Sequence, residues 1–143
     1  MENYHIAVLD IGKTNKKILI FDQKLKCVDE QYTRIPEIIE DGVEYDDVNA
    51  LKSWILDALS SFSKQYNIKV IATSGHGATY SLVDDDANNV VPQVAYTTDP
   101  GPAFHESFYK NCGDPIALQK STASPNLNLL INPAKGIYFS QQQ

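Results

Sequence analysis

Two short apolar segments separated by a glycine-containing turn constrain the fold of this chain most strongly. Residues His5 to Leu9 (HIAVL) are followed by Asp10, and Lys17 to Phe21 (KILIF) come after the turn Gly12 to Asn15. Branched apolar side chains in runs of this length favour β-strands, and so short a connection favours a hairpin. We expect these strands to be buried on both faces, and Lys26 to Arg34 to form a third, more polar strand at the flank.

The middle of the chain predicts one helix between strands. Asp46 or Asp47 offers an N-cap oxygen, and apolar residues then recur at spacings of three and four as far as an exit near Asn67. This apolar face consists of Val48, Leu51, Ile55, Leu59, Phe62 and Tyr66. Residues 69–73 and 80–83 predict a fourth and a fifth strand, and residues 35–45 read as a connection.

The last third is less regular. Asp84 to Asp86 are expected to form a solvated turn, and Pro100 and Pro102 to keep residues 97–102 in a loop. Residues 104–111 predict a short helix, and residues 121–130 an irregular polar segment. A last helix is expected to begin at Pro133. Because it would be cut short at Gln143, we expect the sequence to continue in a longer protein.

Charge and cysteine content exclude several classes of protein. Twelve basic and 18 acidic residues give a formal net charge of −6, which argues against non-specific nucleic-acid binding. No apolar run approaches the ~18 residues of a membrane span, and the first residues lack the pattern of a signal peptide. Cys27 and Cys112 have no paired spacing, which argues against a disulfide scaffold or zinc ribbon and favours the cytoplasm.

The first polar motif, DIGKTNKK, lies between the first two predicted strands. Gly12 permits close backbone approach to a ligand, and successive N–H groups in such a turn can bind phosphate oxygens. Asp10 can hold Mg²⁺ through water, because magnesium retains part of its hydration shell. A solvent-facing hairpin in which Asp10 caps the turn is the alternative. The candidate ATP phosphate-binding residues are Asp10, Gly12, Lys13, Thr14, Asn15 and Lys17.

The second polar motif, SGHGAT, follows the fourth predicted strand, where open sheets usually bind ligands. We expect the glycines on either side of His76 to let the backbone turn sharply and to leave the imidazole exposed. A neutral imidazole can hydrogen-bond a sugar hydroxyl. The alternative is a tight turn with a surface histidine. His5 and His105 show no metal-ligand spacing with His76.

Together, the D-x-G-x-T-x-x-K hairpin, the third strand, the helix, the next strand and SGHGAT resemble the N-terminal part of the FGGY family of carbohydrate kinases. Their superfamily also holds hexokinase, the heat-shock 70 ATPase and actin. The first motif alone marks the superfamily. The second, with Val90 to Tyr96 after it, points to sugar kinases. The resemblance runs from Ile6 to the final glutamines.

The resemblance implies an α/β domain of the ribonuclease-H-like, actin-like ATPase type. Its mixed sheet would have three antiparallel strands, then a helix and a parallel strand, with flanking helices. Residues 1–143 would form the N-terminal portion of the kinase's N-terminal domain. The implied cofactors are ATP and Mg²⁺, and the implied partners are ATP and a sugar, with neither nucleic acid nor membrane; a homodimer stays open. A non-enzymatic actin-like assembly module and a small interaction domain are the alternatives.

Carried over residue by residue, the resemblance makes Asp10 the acid that faces the nucleotide metal. The implied sugar-binding residues are His76, Gly77, Ala78, Tyr96 and Asp99. The chain departs from the family pattern in two places. Many members have Thr or Ala where this chain has Lys13. Many also have an aromatic-x-Asp-x-Arg segment that contacts the sugar, whereas here Asp99 lies one position later than that aspartate and no arginine follows it. The implied catalytic base lies past residue 143 and the second phosphate loop in another domain, so the chain alone is expected to be inactive.

Overall fold

The computed structural model describes residues 3–124 and 137–138, and the chain forms two compact units. The first unit holds Met1–Glu37 and Asp47–Gly77, and the second holds Ile38–Asp46 and Ala78–Gln143. In chain order the elements are β1 (His5–Ile11), β2 (Lys16–Phe21), β3 (Cys27–Thr33), β4 (Ile38–Glu40), β5 (Val43–Asp46), α1 (Val48–Ser63), β6 (Ile68–Gly75), β7 (Gln93–Val94), α2 (Pro102–Cys112) and α3 (Pro115–Thr122).

The sheet of the first unit has the strand order β3–β2–β1–β6. β1, β2 and β3 pair antiparallel as two hairpins, and β6 returns through α1 to pair with β1 in parallel. The four predicted strands are confirmed, and β1 continues past Leu9 to Ile11. The expected α/β fold with a mixed sheet is therefore confirmed.

The core of this unit lies between one face of the sheet and α1. It is made of Ala7, Leu9, Ile18, Ile20, Ala58 and Phe62. Buried positions alternate with half-buried or exposed ones along β1 and β2. The expectation that these strands are buried on both faces is therefore wrong, because the second face is only partly covered.

The helix α1 begins as predicted, after Asp47. The Asp47 carboxylate accepts a hydrogen bond from the Ala50 N–H at 2.8 Å, which satisfies one of the donors at the helix start. The helix ends at Ser63, earlier than the predicted exit near Asn67. Tyr66 continues the apolar face from beyond the helix.

A hairpin formed by β4 and β5 replaces the predicted connection at residues 35–45. Its turn is Asp41-Gly42, with φ values of 50° and 79°. Positive φ at both central residues is what a two-residue type I′ turn requires, and Asp-Gly is a favoured pair for it. The predicted connection is therefore wrong, because Asp41-Gly42 forms a hairpin turn between two short strands.

The second unit adds β7 beside β5 to give the sheet order β4–β5–β7. The predicted strand at residues 80–83 is wrong, since there only Val83 pairs, in an isolated bridge with Asn89. The Asp84 carboxylate accepts hydrogen bonds from the N–H groups of Asp86 and Asn88, so the acidic segment folds on itself. The predicted solvated turn is confirmed.

The helix α2 confirms the predicted segment 104–111 and starts two residues earlier, at Pro102. Proline is tolerated in the first helical turn, where its missing N–H would have had no helical partner. The loop predicted to extend through residue 102 therefore ends at Gly101. Ser121 and Thr122 belong to α3, which corrects the predicted irregular segment at its start.

The rest of that segment from residue 125, and the helix predicted from Pro133, lie outside the described residues, apart from a helical Ile137 and Tyr138. Within the described part of the chain, no helix is both long enough and apolar enough to cross a membrane.

Candidate active site

The two polar motifs meet at one edge of the first unit's sheet. β1 and β6 are parallel neighbours, and Asp10 lies opposite Ser74 while Ile11 lies opposite Gly75. Both strands reach their carboxyl ends at this point, and each motif continues directly from its strand. Open α/β sheets bind ligands outside the carboxyl ends of their strands. The topology therefore places both motifs where a ligand site is expected.

The turn between β1 and β2 is closed by a hydrogen bond from the Gly12 N–H to the Asn15 carbonyl, at 3.0 Å. A Cβ atom at position 12 would lie 2.9 Å from the same carbonyl oxygen. That oxygen belongs to the backbone and cannot move aside without opening the turn. The tight hairpin therefore requires glycine at position 12.

Asp10 and Lys17 face each other across the β1–β2 ladder. Directly opposite residues of an antiparallel pair project from the same face, so this acid and base are neighbours. Asp10 is half-buried and Lys17 is exposed. Thr14 and Asn15, at the tip of the turn, are also exposed and accessible to a ligand.

Basic side chains surround the base of the turn. The Lys13 ammonium forms an ion pair with the Glu37 carboxylate at 2.8 Å. The ammonium of Lys16, a residue that is only 6% exposed, donates to the Lys13 carbonyl at 2.6 Å. The Lys13 hydrogen bond, with further attraction from Lys16, holds the pKa of the Glu37 carboxyl below its usual value. On the other side of the turn, the Arg34 guanidinium donates to the Asn15 side-chain oxygen at 3.1 Å.

Sequence reasoning missed Lys16, Arg34 and Glu37. A signal existed for Lys16, because it is two and four residues before the buried Ile18 and Ile20 and so shares their face of β2. No comparable signal existed for Arg34 and Glu37. They reach the turn only because β3 and the residues after it return beside it.

His76 is joined to the end of β1 by two hydrogen bonds to one oxygen. Its backbone N–H donates to the Ile11 carbonyl at 3.0 Å, and its ring Nδ1 lies 3.1 Å from the same oxygen. A ring that donates from Nδ1 keeps its acceptor at Nε2 when neutral. The predicted exposed imidazole is wrong, because the ring is half-buried against the strand that leads into the first motif.

The glycines on either side of His76 do not make the turn. Neither has a positive φ, and a Cβ atom would lie 3.8 Å from the nearest atom at Gly75 and have nothing within 4 Å at Gly77. The residue with the left-handed backbone is Ala78, with a φ of 60°. The expectation that the two glycines allow a sharp turn is therefore wrong.

Tyr96 and Asp99 belong to the second unit. Tyr96 is half-buried in the turn after β7. One oxygen of the Asp99 carboxylate accepts from the Gly101 N–H and lies 2.9 Å from His105 Nε2. His105 is a further residue that sequence reasoning missed, because its contact with Asp99 depends on how α2 follows the loop.

Asp10 provides one carboxylate at this edge of the sheet, and the carboxylate of Glu37, at the base of the turn, is paired with Lys13. Among residues 3–124 and 137–138, no group of three or more histidine, cysteine or acidic side chains could enclose a metal ion. Mg²⁺ commonly takes one or two carboxylates and fills its other positions with water and substrate phosphates. The donor set therefore fits a magnesium ion that arrives with a phosphate ligand.

No protein-family model and no curated protein sequence matches the chain. Solved structures do. A carbohydrate kinase from Novosphingobium aromaticivorans superposes with a TM-score of 0.80 at 26% identity, over 99% of this chain and 29% of that one. Glycerol kinase from Plasmodium falciparum, with ADP, gives a TM-score of 0.70 at 13% identity over 97% of this chain and 29% of that one.

Gluconate kinase from Lactobacillus acidophilus gives a TM-score of 0.67 at 16% identity, over 83% of this chain and 25% of that one. The likeness to the glycerol kinase and the gluconate kinase, both below 25% identity, shows a shared fold and nothing more. The chain spans between 25% and 29% of the length of these three kinases. The comparison confirms the resemblance to carbohydrate kinases that the two motifs indicate, and the chain has the fold found in these kinases.

Proposed function

We propose that this chain is the N-terminal portion of the N-terminal domain of an ATP-dependent carbohydrate kinase. The observation that carries the proposal is the meeting of the two motifs at the carboxyl ends of β1 and β6. One motif supplies backbone N–H groups and lysines suited to phosphate, and the other a histidine suited to a sugar hydroxyl. A phosphate donor and a hydroxyl acceptor must be adjacent for transfer between them.

In the proposed reaction, an oxygen of a sugar hydroxyl attacks the γ-phosphorus of ATP. The bond from that phosphorus to the bridging oxygen breaks, and ADP leaves with the electron pair. The hydroxyl proton passes to a base, which the family resemblance implies to be an aspartate past residue 143. Catalysis of such a transfer depends chiefly on positioning and on stabilising charge.

The turn at residues 12–15 would bind phosphate oxygens of ATP. Gly12 keeps the backbone compact there, and the exposed side chains of Thr14, Asn15 and Lys17 supply further donors. Asp10 would hold Mg²⁺ through water, and the ion would supply charge neutralisation on the transferring phosphoryl group. Asp10 lies half-buried near the carboxyl end of β1, between β2 and β6.

On the sugar side, we propose contacts from His76, Gly77, Ala78, Tyr96 and Asp99. The hydrogen bond between Nδ1 of His76 and Ile11 fixes the ring and makes Nε2 the acceptor of the neutral imidazole. Because Nε2 is buried, a sugar hydroxyl would reach it only after neighbouring residues move. Both cysteines are free and exposed, which suits a reducing cytoplasm. A homodimer stays a prediction.

The chain by itself is expected to phosphorylate no sugar, because it lacks the base and the second phosphate clamp implied by the resemblance. The experiment that tests the proposal is an NMR titration of the purified chain with MgATP, and separately with a panel of sugars. We expect MgATP to shift amide signals of residues 10–17 and sugars to shift signals near His76. Shifts at neither motif would contradict the proposal. Sugar-dependent ADP release by the chain alone would contradict its expected inactivity.

A further inference from the structure

The side chain of Lys13 is directed to a carboxylate rather than outward from the turn. Its ammonium lies 2.8 Å from Glu37, and the two side chains are only 17% and 33% exposed. Glu37 lies after β3, in the segment that passes the base of the hairpin, and Lys16 also attracts it electrostatically. The ammonium of Lys13, in the proposed phosphate-binding turn, is therefore already paired with the carboxylate of Glu37.

A carboxylate and a phosphate oxygen compete for the same kind of partner. Both are anionic acceptors, and charge-assisted hydrogen bonds to an ammonium are the strong contacts that either can make. An approaching polyphosphate would also meet the negative charge of Glu37. The rest of the turn does not depend on this ion pair, because Asn15 is held separately by Arg34 and Lys16 donates to the backbone of Lys13.

We propose that Glu37 is a specificity-determining residue that competes with polyphosphate for Lys13 and so limits the affinity of the turn for highly charged anions. This inference rests on the proposed phosphate-binding role of the turn. Glu37 holds Lys13 while the site is empty, and bound polyphosphate takes over that ammonium. The lysine at position 13 then does not make the turn bind every available anion tightly.

The experiment measures the dissociation constant of inorganic tripolyphosphate for the full 143-residue chain by isothermal titration calorimetry. Glu37→Gln keeps the shape of the side chain and removes its charge, and we expect binding to tighten by about two- to five-fold, the range of a partly exposed ion pair. Glu30→Gln is the matched control, because Glu30 is an exposed acid on β3 and its loss changes net charge equally. We expect no change for this control.

A second pair of variants tests whether Glu37 acts through Lys13. In a Lys13→Met background, Glu37→Gln should tighten tripolyphosphate binding by less than in the wild-type background, because only the direct repulsion between Glu37 and the anion is relieved. The same gain in that background, or no gain in the wild-type background, would overturn the inference. A merely structural role would lower the melting temperature of Glu37→Gln without tightening binding. If wild-type protein and all variants fail to bind, the proposed function is overturned, and this inference with it.

A measurement on wild-type protein covers the case in which Glu37→Gln does not fold. Limited acetylation followed by mass spectrometry reports the access of reagent to each lysine. Tripolyphosphate should protect Lys13 more strongly than Lys24, which lies in the turn at the opposite end of β2. Equal protection of the two lysines would overturn the inference.

Discussion

Replacing Gly12 by alanine tests the hairpin most directly, because the structure gives the clash atom by atom. The added Cβ would lie 2.9 Å from the Asn15 carbonyl oxygen, which is closer than such contacts occur in folded proteins. Relief requires a backbone shift, and that shift lengthens the hydrogen bond from the Gly12 N–H to the same oxygen. Forcing extra atoms into a packed position costs about 1–3 kcal/mol.

For a chain of this size, each kcal/mol corresponds to roughly 3–4 °C in melting temperature, so we expect Gly12→Ala to melt about 3–12 °C lower. Urea denaturation followed by circular dichroism measures the same loss as a free energy of unfolding. Binding of tripolyphosphate, measured alongside, should weaken because the displaced backbone carries the proposed phosphate-binding N–H groups.

Gly77→Ala is the matched control. A Cβ atom at position 77 would have nothing within 4 Å, and the backbone there does not have the positive φ that favours glycine. Alanine should therefore be neutral, or stabilise by about 0.4–1 kcal/mol through the unfolded chain. Equal stability losses at positions 12 and 77, or none at position 12, would refute the reasoning.

Three other predictions concern individual side chains of the site. Asp10→Asn, in the protein that carries this chain, should lower kcat by a few orders of magnitude, because the charge that would hold Mg²⁺ is lost. The circular dichroism spectrum should stay unchanged, and an unchanged kcat would leave Asp10 only a structural role. His76→Ala removes the ring hydrogen bond to Ile11 and should lower the free energy of unfolding, measured by urea denaturation, by about 0.5–1.5 kcal/mol. Unchanged stability would show that this hydrogen bond contributes nothing. Because Lys13 lowers the pKa of Glu37, the ion pair stabilises the folded state above the ordinary glutamate pKa of about 4.3, and this stabilisation is lost as pH falls through the lowered folded value. Acid titrations of stability should show this loss in the wild type and a smaller one in Lys13→Met, and identical acid limbs would contradict the assignment.

The parts of the fold that were predictable are those in which periodicity and turn chemistry agree. The apolar runs of β1 and β2 and the helical face after Asp47 follow from local sequence alone. The hairpin at Asp41-Gly42 was also within reach, because that dipeptide matches a favoured turn type. The strand predicted at residues 80–83 failed because Asp84 draws the backbone into a local turn, and three apolar or aromatic residues could not outweigh it.

The proposed site was only half predictable, for a physical reason. Candidates such as Asp10 and Gly12 follow from residue type and from position after a strand. The contacts that orient the turn join residues distant in sequence, as in the pairs Lys13–Glu37 and Arg34–Asn15. Such pairs depend on how β3 returns beside the turn, which local pattern does not encode. The orientation of the His76 ring depends in the same way on the parallel pairing of β6 with β1.

The position of β6 has a practical consequence for work on the isolated chain. In the described residues β6 is the last strand of its sheet, and the consecutive residues Val70 and Ile71, on its two faces, are 46% and 55% exposed. An edge strand with apolar side chains and unpaired backbone groups is a template on which another chain can add by main-chain hydrogen bonds. Self-association at this edge would rise with protein concentration and would distort a binding isotherm. Light scattering over a dilution series should therefore set the concentration limit for every titration on the isolated chain.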